Sequence, residues 1–538
     1  MRSFFGGHER HSALLAPRHR HARSVSLCAL AILAAPIAAR AQGDLPLFRS
    51  VDGVGNNPSQ PLWGSAGRAF LRLADAGYAD ALDAPAGPDR PSPRLLSNAL
   101  CAQAQLAPNR HGASDFLWQW GQFLDHDLDL AETATPAEPM PIAVPIGDAW
   151  FDPSGSGAAV IPLSRSEYEH DAAGVRQQQN RNTAWLDGSQ VYGSSLAQLL
   201  LLRGDHGLLA TGADDLLPRD ADGFVAGDVR ANEQVGLTAM HTLFVREHNR
   251  IATALRQAGF DPDTTLLLAR VAVGAELQAI TYREFLPVLL GRDALPPYAG
   301  FRADVDPTIA NEFATAAFRL GHSLLSPTLL RLDAQGREIA AGHLPLRAAF
   351  FAPQEILAHG IDPLLRGLAR QRAQEIDLMI VDDVRNFLFG APGLGGFDLA
   401  SLNVQRGRDH GLPSYVEARR AMGLSVPRRF RDLPCSFETR QALQSAYASV
   451  RDIDLWIGGL AEQHAPGAMV GPLFRAILVD QFTRLRDGDP HWYQRVLPPE
   501  LVAWIDSLTL ATIIRLNTGI GDELPDDVFV VDQGHGRP

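Results

Sequence analysis

Apolar residues recur at helical spacing through most of this 538-residue chain, and strand-like alternation is scarce. A period near 3.6 residues lets each such stretch bury one side against a common core. No repeat, linker or low-complexity tract divides the chain, so the sequence predicts a single large, mainly α domain. The helical stretches are 111–131, 226–256, 262–290, 308–325, 353–390 and 436–530.

The first 41 residues have the pattern of an export signal. An arginine-containing segment precedes the apolar stretch 25–39, and Ala39 to Ala41 has the small-x-small form of a cleavage site. We therefore expect an export signal over residues 1–41, a mature domain over 42–538, and a secreted or periplasmic protein. No other apolar run reaches about 20 residues, so no membrane span is expected in the mature protein.

The net charge of the chain argues against nucleic-acid binding. It is −13 at pH 7, and loss of residues 1–41 removes six arginines and one glutamate, which makes it more negative. The chain has no lysine, so all 48 residues in its Lys and Arg total are arginines, whose charge is permanent. This composition, rich in arginine and alanine, is typical of a GC-rich bacterial gene.

Three cysteines are too few for a fold built on disulfides. Cys28 lies in the expected signal, and Cys101 and Cys435 are far apart in sequence. In an oxidising compartment these two either form a disulfide or stay buried as thiols, and the sequence leaves both alternatives open.

The segment 118–130, WQWGQFLDHDLDL, places a histidine among carboxylates on a predicted helix. At about 100° per residue, Gln122, Asp125 and His126 share one face and Asp127 points away from them. This divergence indicates two sites, one built on His126 and one in which Asp127 binds a hard cation. The alternative is a solvated acidic helix end.

Oxygen-bearing side chains alternate in the segment 181–195, RNTAWLDGSQVYGSS. Thr183, Asp187 and Ser189, with the backbone carbonyls between them, suit Ca²⁺, which takes six to eight oxygen ligands. The segment does not match the EF-hand pattern. An Asx-type turn with a hydrogen-bonded aspartate is the alternative interpretation.

Two further pairs combine charged or polar groups at helical spacing. Arg230 and Glu233 share a face, which by default indicates a surface ion pair. Arg319 and His322 lie one turn apart on an Ala-rich helix, where a histidine is more often a hydrogen-bonded core residue than a ligand. The polar segment 401–415 also needs buried partners, and Asn403 and Arg406 are the candidates.

Taken together, six segments resemble the animal-type haem peroxidases, and they occur in the order seen in that family. The similarity runs from about residue 50 to about residue 530. It implies a mainly helical domain with a buried haem b and a structural Ca²⁺, which reduces hydrogen peroxide and oxidises small donors. The segments are WGQFLDHDLDL, LDGSQVYGS, GDVRANEQ, LTAMHTLFVREHNRIA, AFRLGHSLLSP and LNVQRGRDHGLP.

The resemblance assigns His126, Arg230 and Gln122 to the distal side of the haem. His126 is expected to move the peroxide proton, and Arg230 to stabilise the negative charge that develops as the O–O bond breaks. Gln122 is expected to orient a distal water or halide. Asp125 and Glu233 match the carboxylates that this family esterifies to the haem.

On the proximal side, the resemblance makes His322 the iron ligand. Asn403 is expected to accept its Nδ1–H and so to fix the tautomer of the ring. Arg319 and Arg406 resemble the arginines near the haem propionates and the proximal side.

Two more features follow from the resemblance. The Ca²⁺ ligands are expected to be Asp127, Thr183, Trp185 through its carbonyl, Asp187 and Ser189. Position 234 is glutamine, where a family member with a third haem link has methionine, so at most two ester links are expected. Poor chloride oxidation follows, which leaves bromide, iodide, thiocyanate or phenols as donors.

Three alternatives compete with a peroxidase. A fatty-acid dioxygenase of the cyclooxygenase type needs a tyrosine three residues before the proximal histidine, and the chain has Arg319 there. A non-enzymatic adhesion or matrix scaffold usually loses catalytic residues, which this chain keeps. A calcium-binding domain without haem leaves His322, Asn403 and Arg230 unexplained. The sequence does not predict the oligomeric state.

Overall fold

Helices form the frame of the molecule, as the apolar spacing predicts. The computed structural model describes residues 48–531, so the predicted export signal lies outside the described residues. Helices account for 43% of the residues and strands for 9%, which confirms the mainly α domain. In the described part the α-helices are α1 Pro93–Leu100, α2 Phe116–Leu128, α3 Ser189–Tyr192, α4 Leu196–Leu202, α5 Val235–Gln257, α6 Pro262–Ile280, α7 Leu286–Leu290, α8 Asn311–Thr315, α9 Leu346–Ala349, α10 Pro353–His359, α11 Asp362–Arg370, α12 Asp382–Arg385, α13 Leu399–Asp409, α14 Tyr415–Ala421, α15 Phe437–Ala446, α16 Leu455–Ala461, α17 Pro472–Asp487, α18 Tyr493–Val496, α19 Pro499–Ser507 and α20 Leu510–Asn517.

The strands are short and lie at the periphery of the helical core. All of their pairings are antiparallel, and one three-stranded sheet has the order β1-β5-β4. Strands β2 and β3 form one ribbon, and β6 and β7 form another. The strands are β1 Arg68–Ala69, β2 Ile142–Ala143, β3 Val160–Ile161, β4 Tyr168–His170, β5 Arg176–Asn180, β6 Thr328–Leu329 and β7 Leu344–Pro345.

Helices α2, α5 and α6 cross the centre of the domain. Helix α5 packs along α6 and also contacts α2 and α20. Its buried side chains join one cluster of buried apolar residues that extends through nearly all of the described chain. Because the largest buried side chains, such as Trp120 and Phe244, lie in this cluster, the domain has one main core.

The segment 308–325 departs from the single α-helix that its pattern predicts. Helix α8 ends at Thr315, Ala316 leaves helical geometry with φ −134° and ψ −67°, and residues 317–323 continue as a 3₁₀-helix. In a 3₁₀-helix, residues i and i+3 eclipse one another. Arg319 and His322 therefore project to the same side more exactly than an α-helix would place them.

The apolar region 262–290 ends at Gly291, whose φ of +91° favours glycine, as predicted. Helix α1 was not predicted, because its eight residues follow a segment rich in proline.

Cys101 and Cys435 are both free and buried, so the disulfide alternative is wrong. Among the described helices, none has the length and apolar character needed to cross a bilayer.

Candidate active site

A cavity of about 440 Å³ opens beside α2, within the size range of cofactor and ligand sites. Its walls are leucines and phenylalanines from six or more separate segments, and its polar side chains converge from two sides. Eight of the candidate residues line it: Gln122, Asp125, His126, Arg230, Glu233, Arg319, His322 and Arg406.

Helix α2 separates its functional side chains as the sequence predicts. Gln122, Asp125 and His126 line the cavity, whereas Asp127 is fully buried on the other side, against the loop that leads into α3. The solvated-surface interpretation of this helix is therefore wrong. The aromatic start of α2 is buried in the core, which fixes the rotation of the helix.

Asp228 links the two groups expected on the distal side. Its Oδ1 accepts the Arg230 Nε–H at 2.9 Å and lies 3.5 Å from His126 Nδ1, and its Oδ2 accepts from Arg230 Nη2 at 2.8 Å. Arg230 Nη2 also donates to the carbonyl of Asp129, and Asn182 donates to the carbonyl of His126. Arg230 thus pairs with Asp228 instead of forming the expected surface ion pair with Glu233.

Asp228 is not among the residues predicted from the sequence, although its position beside Arg230 is a signal. An aspartate two residues before an arginine can bond both the backbone N–H and the guanidinium of that arginine, and Asp228 does both here. Burial raises the pKa of Asp228, but the charge of Arg230 and the hydrogen bonds from its guanidinium and backbone outweigh burial and lower the pKa below its usual range. Asp228 is therefore ionised at neutral pH.

The cavity shifts the pKa values of the groups in its wall. Burial, followed by the charge of Arg230, lowers the pKa of His126 well below its usual range, so the imidazole is neutral and can accept a proton. Burial raises the pKa of Asp125 to about 6 and that of Glu233 to about 7, against the opposing charge of Arg230. The cavity therefore disfavours the ionised form of both carboxyls relative to free carboxyls, although Asp125 is still largely ionised at pH 7.

A chain of amides continues from Gln122 away from the cavity. Gln234 Nε2 donates to Gln122 Oε1 at 3.1 Å and to Gln119 Oε1 at 2.7 Å, and Gln234 Oε1 caps α5 through the N–H of Gly236. Gln122 Nε2 donates to Glu233 Oε2 at 3.2 Å. Because the Gln122 oxygen accepts from Gln234 and one of its N–H groups donates to Glu233, the second N–H is the remaining donor that this amide can offer to the cavity.

His322 faces the cavity from the side opposite α2. Burial, followed by the charge of Arg319, lowers its pKa to about 3, so the ring is a neutral potential ligand. Asn403 lies 2.8 Å from its Nδ1 through the amide nitrogen, while the amide oxygen accepts from Arg319. The resemblance implies that the Asn403 oxygen accepts a hydrogen bond from His322 Nδ1–H, whereas in the structure the Asn403 amide nitrogen faces Nδ1. As placed, the ring carries its proton on Nε2, and ligation through Nε2 requires the amide to rotate by 180°.

The residues present fit a haem in all other respects. A side chain built on Gly321, which also lines the cavity beside His322, would meet no atom within 4 Å. The flat apolar walls, one neutral imidazole on each side and a pair of arginines, Arg319 and Arg406, match a planar apolar macrocycle with two carboxylates. Arg406 donates to Asp409 as well, so its charge is partly compensated.

The candidate calcium ligands also meet in one place. Asp127 accepts from the backbone N–H groups of Gly188 and Ser189, and Ser189 Oγ donates to the carbonyl of Asp127 at 2.8 Å. Thr183 Oγ1 donates to Asp187 Oδ1 at 3.3 Å. The carbonyl of Trp185 accepts the N–H of Asp187.

The charge balance of this second site favours a cation. Burial, followed by the charge of Asp187, raises the pKa of Asp127 to about 8, and Asp187 is itself buried. Arg270 donates to Asp187 at 3.1 Å, so one of the two carboxylates has a compensating charge. Within residues 48–531 no group of three or more His, Cys, Asp or Glu side chains is arranged to hold a metal. A hard cation here would therefore depend on two carboxylates with hydroxyl and carbonyl oxygens.

Comparisons with known proteins agree with this arrangement. The family model described as "Animal haem peroxidase" matches residues 48–529. Peroxidasin of Drosophila melanogaster is 36% identical over 556 residues, which cover 91% of this chain and 36% of peroxidasin. The chain thus spans well under half the length of that relative.

The fold recurs in solved structures. Peroxidase A of Dictyostelium discoideum has a TM-score of 0.82 and 33% identity, and the match covers 90% of this chain and 99% of that one. A fatty acid alpha-dioxygenase of Arabidopsis thaliana, at 21% identity, has a TM-score of 0.79 over 90% of this chain and 83% of that one, and shares the fold. The chain belongs to the animal haem peroxidase family.

Proposed function

We propose that the protein is a secreted or periplasmic bacterial haem peroxidase, which reduces hydrogen peroxide and oxidises small donors. The observation that carries the proposal is the cavity with neutral His126 on one side, neutral His322 on the other, and Arg230 beside His126. Residues 1–41 would direct export, and residues 42–538 would form the mature domain.

The haem would be held by His322 through its iron and by Arg319 and Arg406 through its propionates. When bound, it would supply an iron centre that is oxidised by peroxide and returned to its resting state by electron donors. Asp125 and Glu233, which line the cavity, would form ester links to methyl groups of the macrocycle. Each link replaces a methyl C–H bond and the carboxyl proton, so it needs a two-electron oxidant, and hydrogen peroxide would serve as that oxidant. Asn403 would orient His322 after the amide rotation described above.

The chain's own acid–base chemistry centres on His126. The ring nitrogen not turned toward Asp228, Nε2, would take a proton from one peroxide oxygen and return it to the other, departing oxygen. Arg230 stabilises the negative charge that develops on the departing oxygen, and its position is set by the two bonds from Asp228.

Donor choice is proposed to follow from the distal amide. Gln122 would orient a water or a halide with the N–H that it does not donate to Glu233. Gln234 cannot form the third haem link for which another family member uses methionine. We therefore expect poor chloride oxidation, with bromide, iodide, thiocyanate or phenols as donors. Chloride turnover comparable to bromide turnover at neutral pH would contradict this expectation.

The structural cation is proposed to be Ca²⁺, bound by Asp127, Thr183, the Trp185 carbonyl, Asp187 and Ser189. Asp127 follows His126 directly on α2, so the ion would tie the loop at 183–189 to the distal side of the haem.

Two alternative functions are less well supported. A fatty-acid dioxygenase shares the fold, but Arg319 occupies the position of the required radical tyrosine. A calcium-binding scaffold would not need the neutral imidazoles and the fixed arginine in the cavity.

The test is denaturing gel electrophoresis of haem-loaded protein, stained for haem before and after hydrogen peroxide is added. We expect haem to stay with the wild-type polypeptide after peroxide treatment and to be lost from the double variant Asp125→Val, Glu233→Val. If the folded protein binds no haem under any condition, the peroxidase proposal fails and the calcium-binding scaffold replaces it.

A further inference from the structure

A second cavity is separated by residues 281–290 from the cavity that His126 and His322 line, which we call the haem cavity. Residues 281–290 present Phe285 and Leu289 to the haem cavity and Tyr282 and Leu286 to this one. Its volume is about 310 Å³, at the lower end of the range for small-molecule sites. We call it the arginine-lined cavity, and its walls are Tyr282, Arg283, Leu286, Pro287, Gly291, Arg292, Leu295, Tyr298, Arg486, Trp492, Tyr493 and Gln494.

Every charged side chain in this wall is an arginine, although the chain as a whole carries a net charge of −13. Arg292 forms no ion pair within 4 Å in the described part of the chain. Arg283 and Arg486 are paired with Asp506 and Asp487, which do not line the cavity. The wall itself therefore carries positive charge only, although Asp487 and Asp489 lie close behind it. The unpaired charge of Arg292 favours an anionic occupant.

Two hydrogen-bond donors of the wall residues have no partner among residues 48–531. Arg486 is 5% exposed; its Nε and Nη1 bond Asp487 and the carbonyl of Pro296, while its buried Nη2 bonds nothing. The buried hydroxyl of Tyr298 is likewise unpaired. Burial raises the pKa of Tyr298 to about 12, so the hydroxyl keeps its proton and can donate. A structural role for Arg486 accounts for two of its three nitrogens and leaves Nη2 unexplained.

The rest of the wall is aromatic and apolar. The Trp492 ring lies 4.8 Å from that of Tyr282 and 6.0 Å from that of Tyr298, and Leu286 and Pro287 complete the apolar part. Such a surface suits a planar ring, which can also stack on a guanidinium. A small inorganic anion would leave this part of the wall unused.

The helix that supplies Tyr282 and Arg283 is irregular. Residues 281–285 form a π-helix between α6 and α7, and π-helical turns are rare and frequent at functional sites. The wider turn lets Tyr282 and Arg283 face one cavity while Phe285 faces the other.

We propose that the arginine-lined cavity binds a planar aromatic carboxylate, with the carboxylate held by Arg292, Arg486 and Tyr298 and the ring against Trp492 and Tyr282. The site is separate from the haem cavity, and the proposal does not depend on peroxidase activity. Arg486 Nη2 and the Tyr298 hydroxyl are buried behind the surface of the cavity, so these two side chains would have to turn toward the carboxylate.

The test uses the full-length holoprotein with 2-naphthoate as the probe, by equilibrium dialysis and by the haem absorption spectrum. We expect saturable binding that leaves the haem spectrum unchanged. Arg292→Gln and Tyr298→Phe each remove one unpaired group from the wall. Each substitution should weaken the binding of 2-naphthoate about tenfold. Arg302→Gln is the matched control, because Arg302 is an exposed arginine outside the wall, paired only with Asp304 through its side chain.

Three results would overturn the proposal. One is the absence of binding at millimolar 2-naphthoate. A second is equal binding of neutral 2-naphthol, which would remove the role of charge. The third is binding that shifts the haem spectrum and is insensitive to Arg292→Gln, which would place the probe in the haem cavity.

Discussion

At the scale of single residues, the distal side depends on Asp228. It is a positioning residue in our proposal, because its carboxylate fixes the guanidinium of Arg230 and lies beside Nδ1 of His126. His126 Nδ1 is buried and has no hydrogen-bond partner at 3.5 Å, so a small approach would complete this contact. One carboxylate therefore contacts Arg230 and lies beside His126, the two groups proposed to act on one peroxide molecule.

We predict that Asp228→Asn lowers kcat/KM for hydrogen peroxide by about 10²-fold, because Arg230 loses its bidentate partner and His126 loses the negative charge beside its Nδ1. Cyanide, which binds ferric haem after giving its proton to a distal base, should associate more slowly by a similar factor. Stopped-flow absorbance measures both rates. Asp506→Asn, which removes an aspartate paired with Arg283 instead, is the control, and rates within twofold of wild type for Asp228→Asn would refute the positioning role.

Sequence reasoning found the residues that line the cavity better than the residues that support them. His126, Arg230 and His322 stand in motifs, and their faces follow from helical spacing. Asp228 and Gln234 act through hydrogen bonds made by their own side chains, and nothing in periodicity predicts which amide faces which. The orientation of the Asn403 amide depends on Arg319, which donates to the amide oxygen. The sequence does not show whether Arg319 or His322 is the donor to that oxygen.

At the scale of elements, helices α5 and α6 share a buried carboxyl pair. Glu247 of α5 accepts from Arg250 Nε at 2.7 Å and from Asn517 of α20 at 2.6 Å. Both oxygens of Glu276, on α6, are buried without a donor. Burial, followed by the charge of Glu247, raises the pKa of Glu276 well above its usual range, so folding keeps a proton on it.

We predict that this pair makes the protein less stable as pH rises. The folded pKa of Glu276 lies above the unfolded value of about 4.3, so the native state binds an extra proton that is lost at higher pH. Glu276→Gln removes this dependence, and its free energy of unfolding relative to wild type should increase by at least about 1 kcal/mol between pH 5 and pH 8. Denaturant unfolding at both pH values measures it. A difference that stays constant with pH would contradict the prediction.

We also predict that loss of Ca²⁺ affects both stability and the haem. Chelation leaves two carboxylates, Asp127 and Asp187, buried near one another at the end of α2, so Tm should fall by about 5 °C or more. Because His126 adjoins Asp127, the haem absorption band should shift at the same time. Chelator already saturated with Ca²⁺ is the control. A fall in Tm with an unchanged haem band would show that the two sites are not coupled.

The segment 308–325 shows where element prediction fails. Its apolar spacing is that of an α-helix, yet the chain breaks at Ala316 and continues as a 3₁₀-helix. The aromatic stack of Phe313 on Phe318 and the packing of both against Phe482 are long-range contacts that outweigh local preference. Since Phe482 lies more than 160 residues further along the chain, local sequence could not reveal the break.

At the scale of the whole molecule, one core, without a disulfide in the described part, holds the domain together. We predict that dithiothreitol leaves Tm unchanged. Burial raises the pKa of the Cys101 and Cys435 thiols, so iodoacetamide should modify neither until the protein is unfolded. Mass spectrometry of the peptides that contain these two residues reports the modification. Labelling of either one in the native protein would contradict its buried position.

The haem cavity takes its walls from Leu117 through Arg406, so no short fragment contains it. During biosynthesis the ribosome therefore releases a chain that has no cofactor site until residues nearly 300 positions apart have met. Cofactor delivery has to occur where and when maturation finishes. A fragment that lacks either end of this span would therefore be unable to hold the cofactor.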